Sequence, residues 1–321
     1  MRLRLAALAV VGLLLSGCGL SAGSTVPLNV GPGLIKPVPE LQGVTITVGS
    51  KDFTENVVLG YIAEFALKAA GMNVKDLTNI QGSQSARQAL VTGQIDTYWD
   101  YTGTAWIIYM GHTQPIPDER QQFEEVRKAD LANGVVWSDF STLNNTYSFA
   151  VNKQVAAKLG VKTMSDMARV IKQDPSQGTF CLETEFASRS DGMPGVQQAY
   201  GFTAPRENIK ILGTGPIYQA TAEAKTCNFG EVFTTDGRIL ALDLQVLQDD
   251  KKFFPQYNAA ASIRKDKLEQ HPQISQVLDP IAQKLNNDVM LHLNEKVDVN
   301  GEDPADVARD WLADQGFVVK S

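Results

Sequence analysis

Residues 95–106 concentrate aromatic side chains among hydroxyl and carboxylate groups, in a chain that is 8% aromatic overall. The segment reads IDTYWDYTGTAW and contains Tyr98, Trp99, Tyr101 and Trp106. The face of an aromatic ring attracts cations, and several rings together can hold a weakly hydrated cation such as a quaternary ammonium. The segment therefore indicates the wall of a pocket for an organic cation. The competing interpretation is a strand and turn packed on the core.

The elements around this segment have the pattern of an open α/β sheet. Residues 44–48 alternate as a strand, and a helical apolar pattern then runs as far as Gly71. We interpret Asp52 and Glu55 as a capping box at the start of this helix. Lys51 then lies after a strand and before a helix N-terminus, where such sheets bind ligands and where anions are favoured. An ordinary surface lysine is the alternative for this position.

The remainder of the chain continues the alternation of helices and strands, which favours an α/β fold. We predict helices at 83–92, 118–132, 154–159, 274–289 and 304–315, and strands at Ile95, 135–137 and 146–151. The segments that begin at Thr146 and Tyr257 share one layout, namely an apolar strand, a charged turn and a helix. We expect them to be two crossing strands of a hinge between two lobes.

The N-terminus has the layout of an export signal, predicted for residues 1–17. Arg2 and Arg4 precede an apolar run that is too short to span a bilayer as a helix. The run ends in LSGC, which resembles the lipobox of bacterial lipoproteins, in which the cysteine, here Cys18, is lipidated and becomes the N-terminus. A chance cysteine after an ordinary signal is the alternative. Residues 18–42, which begin with this cysteine, are rich in Gly, Ser and Pro and are predicted to form a flexible tether.

Charge and cysteine usage agree with an exported protein. The chain has a formal net charge of −7, and loss of the two signal arginines makes it more acidic, so nucleic acid is an unfavourable partner. Besides Cys18, the chain has Cys181 and Cys227. Oxidising surroundings favour a disulfide between these two residues, and two separately buried thiols are the alternative.

The residue types that hydrolases and metalloenzymes need are scattered. His112, His271 and His292 have no ligand-like spacing, so neither a metal site nor a histidine-based triad is supported. No Gly-rich phosphate loop occurs. A secreted hydrolase is therefore the less favoured class of protein, and no cofactor or metal is expected.

Six motifs follow one another from about residue 44 to the C-terminus: VTITVGSKDFTENVVLGYIAEF, GQIDTYWDYTGTAW, NNTYSFAVNK, DGMPGVQQAYGF, FTTDGRI and FFPQYNAAASIRKD. Together they resemble the substrate-binding lipoproteins of osmoprotectant ABC importers, which are receptors for glycine betaine, carnitine, choline or related solutes. The pairing of GSKDFTE with DYTGTAW is the most specific part of this resemblance.

The resemblance implies a type II periplasmic-binding-protein-like α/β fold, with two lobes, a two-strand hinge and a ligand cleft between the lobes. On this basis the first part of lobe 1 covers residues 43–145, lobe 2 covers 146–254, and the second part of lobe 1 covers 255–321. The resemblance also implies the partners, which are a small-molecule osmolyte, a membrane permease and its ATPase. The receptor would be lipid-anchored on the outer face of the cytoplasmic membrane.

The resemblance further implies which residues hold a betaine. A cage of rings would enclose the ammonium, and donors would bind the carboxylate. The predicted cage comprises Tyr101, Tyr147, Tyr218 and Phe233, and the predicted donors are Lys51, Thr104 and Arg189.

Two further expectations concern the ligand. The family often has tyrosine where this chain has Phe233, so a receptor of the same fold retuned to another cationic or aromatic solute is the second hypothesis. Choline lacks a carboxylate and would leave Lys51 and Arg189 facing a like charge. We therefore expect weaker binding of choline than of betaine.

Overall fold

The structure is a computed structural model that describes residues 24–25 and 28–321. The predicted signal peptide at residues 1–17 and the predicted lipidation site at Cys18 lie outside the described residues. Within the described part of the chain, no helix is long and apolar enough to cross a membrane.

Two mixed sheets and one small strand pair form the framework of the protein. The strands are β1 (Ser24–Thr25), β2 (Val30–Pro32), β3 (Thr45–Lys51), β4 (Asn73–Ile80), β5 (Thr97–Tyr101), β6 (Val135–Trp137), β7 (Tyr147–Asn152), β8 (Phe180–Leu182), β9 (Ile209–Ile211), β10 (Phe229–Phe233), β11 (Leu244–Val246), β12 (Ala259–Arg264) and β13 (Val318–Lys320). The first sheet has the order β1-β4-β3-β5-β12-β6, and the second has the order β11-β7-β10-β8-β9. The remaining two strands, β13 and β2, pair with each other.

Helices cover both sheets, as an α/β fold requires. They are α1 (Thr54–Ala69), α2 (Ser83–Val91), α3 (Thr102–Thr104), α4 (Glu119–Asp130), α5 (Lys153–Leu159), α6 (Met164–Gln173), α7 (Thr184–Ser188), α8 (Met193–Tyr200), α9 (Thr214–Glu223), α10 (Arg238–Ala241), α11 (Lys265–Gln270), α12 (Gln273–Ala282), α13 (Asn287–Asp298) and α14 (Pro304–Asp314). The short α3 continues as a π-helical turn over Ala105–Tyr109.

Helix α1 is the centre of the first lobe because apolar residues occur on most of its faces. It packs on β3, β4, α13 and α14, and Ile62 and Phe65 are fully buried. The capping box predicted at its start is wrong. The N-cap residue is Phe53, whose side chain cannot accept a hydrogen bond, and Asp52 instead accepts one from the backbone nitrogen of Gly82.

The chain crosses between the two sheets twice, over residues 138–146 and 247–258. The two crossing segments run side by side and form an antiparallel bridge at Asn144 and Asn258. The strands that we expected to cross, β7 and β12, each lie wholly within one sheet, and each crossing comes just before its strand. The predicted lobe boundaries at 145/146 and 254/255 fall at the end of the first crossing and inside the second.

Residues 30–41 belong to the folded first lobe, so the prediction of a flexible tether through residue 42 is wrong for this stretch. Strand β2 pairs with β13 at the opposite end of the chain, and Leu34 and Ile35 donate backbone hydrogen bonds to the turn before β13. Leu41 is fully buried. Composition misled the prediction because Gly and Pro are also tolerated in short edge strands.

The predicted helices fared unevenly. Those at 83–92, 118–132, 154–159 and 304–315 are confirmed as α2, α4, α5 and α14, with bounds that differ by at most two residues. The single helix predicted at 274–289 is wrong, because α12 ends at Ala282 and α13 begins at Asn287. Asn286 stops the continuation, since its side chain caps α13 by accepting a hydrogen bond from the backbone nitrogen of Val289 at 3.0 Å.

The predicted disulfide between Cys181 and Cys227 is present and joins β8 to the segment just before its parallel neighbour β10. We expect the double variant Cys181→Ser, Cys227→Ser to lose about 4 kcal/mol of unfolding free energy, because a closed loop restricts the unfolded chain. Urea denaturation measures this loss. Two free thiols in the intact mass of exported, non-reduced and alkylated protein would contradict the bond.

Candidate ligand-binding site

The ends of the central strands of both sheets meet at one cleft. Lys51 ends β3 and Tyr101 ends β5, and these strands are parallel neighbours. On the other side of the cleft, Phe233 ends β10, and its cross-strand partner Tyr147 begins the antiparallel strand β7. Open α/β sheets bind ligands at the carboxyl ends of their strands. The topology therefore brings the predicted site residues together from distant parts of the chain.

A cavity lies between the lobes at this point. The volume that it encloses is about 30 Å³. Two aromatic residues that the sequence analysis did not identify, Phe53 and Tyr257, also line it. Phe53 is the N-cap of α1 and lies close to Lys51 in the motif GSKDFTE. Its place next to a predicted site residue is the signal that could have identified it. Six of the seven predicted site residues line the cavity: Lys51, Tyr101, Thr104, Tyr147, Arg189 and Phe233.

Tyr218 does not line the cavity, so the prediction that it belongs to the cage is wrong. Its side chain is 1% exposed and packs in a separate apolar cluster of the second lobe with Val232 and Leu244. The Tyr218 hydroxyl accepts a hydrogen bond from the backbone nitrogen of Phe233 at 3.0 Å. Tyr218 therefore positions a cavity residue without facing the cavity itself.

Five rings contact one another in series along the cavity. The centroid distances are 5.8 Å from Tyr101 to Phe53, 5.0 Å from Phe53 to Phe233, 5.1 Å from Phe233 to Tyr147, and 5.3 Å from Tyr147 to Tyr257. Phe53 comes from the first lobe and Phe233 from the second. The ring series therefore bridges the cleft.

Lys51 has a counter-charge within the protein. Its Nζ lies 2.7 Å from Oδ1 of Asp100, and both side chains are almost fully buried. The same Nζ lies 5.2 Å from the ring centroid of Tyr101, within cation–π range. The neighbouring strand end thus neutralises Lys51 before any ligand binds.

The charge of Arg189 is also neutralised by carboxylates of the protein. Its Nε and Nη2 donate to the two carboxylate oxygens of Asp191 at 2.7 and 2.6 Å. Its Nη1 donates to Glu185 at 2.9 Å and to the Tyr147 hydroxyl at 3.2 Å, and Nη2 lies 3.5 Å from Oγ1 of Thr104 in the other lobe. The reason given above for weak choline binding is therefore wrong, because neither Lys51 nor Arg189 would be left uncompensated.

Two glutamates of the second lobe, Glu183 and Glu185, line the cavity. Burial raises the pKa of Glu183, although a hydrogen bond from Thr214 opposes this rise. Burial also acts to raise the pKa of Glu185, but the charges of Arg189 and Lys51 outweigh it and hold the pKa below the usual value. Glu185 is therefore ionised at neutral pH.

Glu55 connects the two lobes behind the rings. Its carboxylate is fully buried and accepts hydrogen bonds from Tyr101 Oη at 2.8 Å, Asn145 Nδ2 at 3.0 Å, Thr235 Oγ1 at 2.6 Å and Asn294 Nδ2 at 3.3 Å. Burial raises its pKa, and these hydrogen bonds oppose the rise. The four donors come from strand β5, the first crossing segment, the stretch after β10, and α13. One carboxylate thus fixes the Tyr101 ring and the segment that follows Phe233.

Comparisons with known proteins agree with this architecture. Residues 44–314 match the family model for the substrate binding domain of ABC-type glycine betaine transport systems. The chain is 36% identical over 276 residues to a glycine-betaine-binding protein of Pseudomonas aeruginosa, covering 84% of this chain and 88% of that one. It is 32% identical over 283 residues to an ergothioneine transport permease/ergothioneine binding protein of Helicobacter pylori, covering 88% of this chain and 49% of that longer one.

A solved structure extends the agreement to the fold. The crystal structure of a glycine betaine/carnitine/choline ABC transporter aligns with a TM-score of 0.68 at 25% identity, covering 85% of this chain and 99% of that one. The fold and the cleft define a type II periplasmic-binding protein, an extracytoplasmic solute receptor and not an enzyme. The chain belongs to the family of substrate-binding domains of ABC-type glycine betaine transport systems. The expected family and fold are confirmed.

We expect Thr235→Val to lower the free energy of unfolding by about 1–3 kcal/mol, because a buried Glu55 oxygen loses a donor. Urea denaturation followed by circular dichroism measures the change. Thr234→Val is the matched control, since the Thr234 hydroxyl is buried and has no hydrogen-bond partner among the described residues. Equal losses in the two variants would contradict the role assigned to Thr235.

Proposed function

We propose that this receptor binds a quaternary-ammonium osmoprotectant of the glycine betaine or carnitine type and delivers it to an ABC permease driven by an ATPase. One observation carries the proposal: aromatic rings from both lobes share a single cavity with Lys51 and Arg189. The similar protein of Pseudomonas aeruginosa is a glycine-betaine-binding protein, which supports the same ligand class for this chain.

The interaction energies are sufficient for such a ligand. A desolvated cation–π contact contributes about 1–2 kcal/mol, and a charged hydrogen bond contributes about 1.5–3 kcal/mol. Micromolar binding needs roughly 8 kcal/mol, and the ordering of ligand and side chains must be offset as well. Several rings with one or two donors reach this range without a cofactor or a metal.

Ligand entry requires the lobes to separate. The ring centroids of Phe53 and Phe233 lie 5.0 Å apart, so the two rings leave no room between them for a trimethylammonium group. Parting of the lobes exposes these rings, and closure around the ligand replaces ring–ring contacts by ring–cation contacts. A ligand that touches both lobes shifts the population toward the closed form, which would be the form that docks on the permease.

We also propose that Cys18 carries the lipid anchor after removal of residues 1–17, which would hold the receptor on the outer face of the cytoplasmic membrane. The support is the LSGC sequence after a short apolar run. Lobe 1 would comprise residues 43–145 and 255–321, extended by residues 28–42, and lobe 2 would comprise 146–254. Incorporation of labelled palmitate that persists in Cys18→Ser would contradict the anchor.

A second candidate is a receptor of this fold retuned to another cationic or aromatic solute. The relative from Helicobacter pylori favours keeping it, because that protein binds ergothioneine. The ring-rich cavity could stack a flat aromatic ligand as well as an ammonium.

Titration calorimetry of the chain from residue 28 onward separates these candidates. We expect glycine betaine or carnitine to bind in a 1:1 ratio and to be recovered unmodified by mass spectrometry, whereas proline and ectoine serve as osmolytes without a trimethylammonium group. Binding of ergothioneine alone would favour the second candidate. If neither glycine betaine, carnitine nor choline binds, the proposed function is overturned.

Phe233 provides a direct test of the cage. We expect Phe233→Leu to weaken glycine betaine binding about tenfold, because it keeps apolar volume but removes one ring face worth about 1–2 kcal/mol. The control Phe233→Tyr keeps the ring, and we expect its dissociation constant to stay within about threefold of the original. Calorimetry measures both variants, and an unchanged affinity in Phe233→Leu would remove Phe233 from the cage.

A further inference from the structure

Glu185 of the second lobe binds the groups that would otherwise receive the carboxylate of a zwitterionic ligand. Its Oε2 accepts a hydrogen bond at 2.9 Å from the backbone nitrogen of Ser83, the first residue of α2 in the other lobe. Its Oε1 accepts one at 2.9 Å from Nη1 of Arg189. The N-cap of α2 is Gly82, which has no side chain to satisfy the helix N-terminus. Helix N-termini favour anions, and Glu185 supplies that anion from within the protein.

The Glu185 carboxylate is placed so that it can move away from Ser83 and Arg189. Its side chain is 28% exposed, whereas that of Arg189 is 3% exposed. Glu185 also borders the open part of the cleft, beside Gln81 and Ser188. Rotation into the cleft would therefore return its carboxylate to water without breaking the packing of α7.

The other charges of the cavity leave few donors for a ligand carboxylate. Asp100 already neutralises Lys51, and Asp191 binds both Nε and Nη2 of Arg189. Nη1 of Arg189 and the N-terminus of α2 remain as donors that favour an anion, and Glu185 binds both of them. The hydroxyl groups of Thr104 and Tyr147, beside Arg189, are the neutral donors at this end of the cavity. With Glu185 in place, carboxylates outnumber cations at this end of the cavity.

We propose that Glu185 is a specificity-determining residue that competes with the carboxylate of the ligand and thereby favours ligands whose only charge is the ammonium. This inference rests on the proposed function. A zwitterion such as glycine betaine must displace Glu185, so the charged hydrogen bonds of its carboxylate replace those that Glu185 already makes. Choline leaves both Glu185 bonds intact and gains an additional neighbouring negative charge.

The test compares glycine betaine and choline on the wild-type protein, on Glu185→Gln and on two further variants. We expect Glu185→Gln, which keeps the size of the side chain, to strengthen betaine binding about tenfold and to weaken choline binding about threefold. Glu185→Asp keeps the charge, and we expect it to hold the ratio of the two dissociation constants within about threefold of wild type. Glu207→Gln makes the same change of charge on an exposed site of the second lobe, outside the cavity, and should leave both affinities unchanged.

The outcomes separate the two claims. If both ligands bind and Glu185→Gln leaves their ratio unchanged, or moves it toward choline, the inference about Glu185 is overturned and the proposed function stands. If neither ligand binds the wild-type protein, the proposed function fails and the inference fails with it. Thermal unfolding of each variant shows whether it is folded at the temperature of the titration.

Discussion

A charge that leaves water must meet its counter-charge inside the protein, and this requirement organises the whole cleft. Lys51 is paired with Asp100, and Arg189 is paired with Asp191 and Glu185. These pairs hold the cations rigidly beside aromatic rings without leaving them unsatisfied. Both cations of the cavity therefore already have partners, and under the proposed function a ligand carboxylate would bind by exchanging those partners more than by neutralising free charges.

The same cleft couples binding to the relative position of the lobes. The ring series crosses from Phe53 to Phe233, and the Glu55 carboxylate bonds to Tyr101 in one lobe and to Thr235 in the other. Separation of the lobes would break the Phe53–Phe233 and Glu55–Thr235 contacts, because each contact joins one lobe to the other. Under the proposed function, solute recognition and the shape presented to a permease would thus depend on the same side chains.

Local patterns were sufficient where a single element decided the outcome. The apolar period of α1, the strand that leads to Lys51 and the aromatic end of β5 were all predicted, since burial on a sheet imposes these periods on the sequence. The predicted strand ended at residue 48, whereas β3 continues to Lys51. Local patterns were insufficient where a residue or strand contacts a partner that is distant in the sequence. The composition of Val30–Pro32 predicted a tether, but this segment pairs with β13. Tyr218 was predicted to be a cage residue, but its hydroxyl accepts a hydrogen bond from the backbone nitrogen of Phe233.

The sequence by itself was sufficient to predict the family, the α/β class, the disulfide and six of the residues that line the cavity, because these predictions depend on motif order and residue types and not on coordinates. Only the tertiary structure decided how those residues are paired. Which carboxylate faces Lys51, which ring touches Phe233 and which helix end Glu185 caps depend on residues that are far apart in the chain, such as Ser83 and Glu185, which are 102 residues apart. These contacts form where the two lobes meet at the cleft, and no local pattern encodes them.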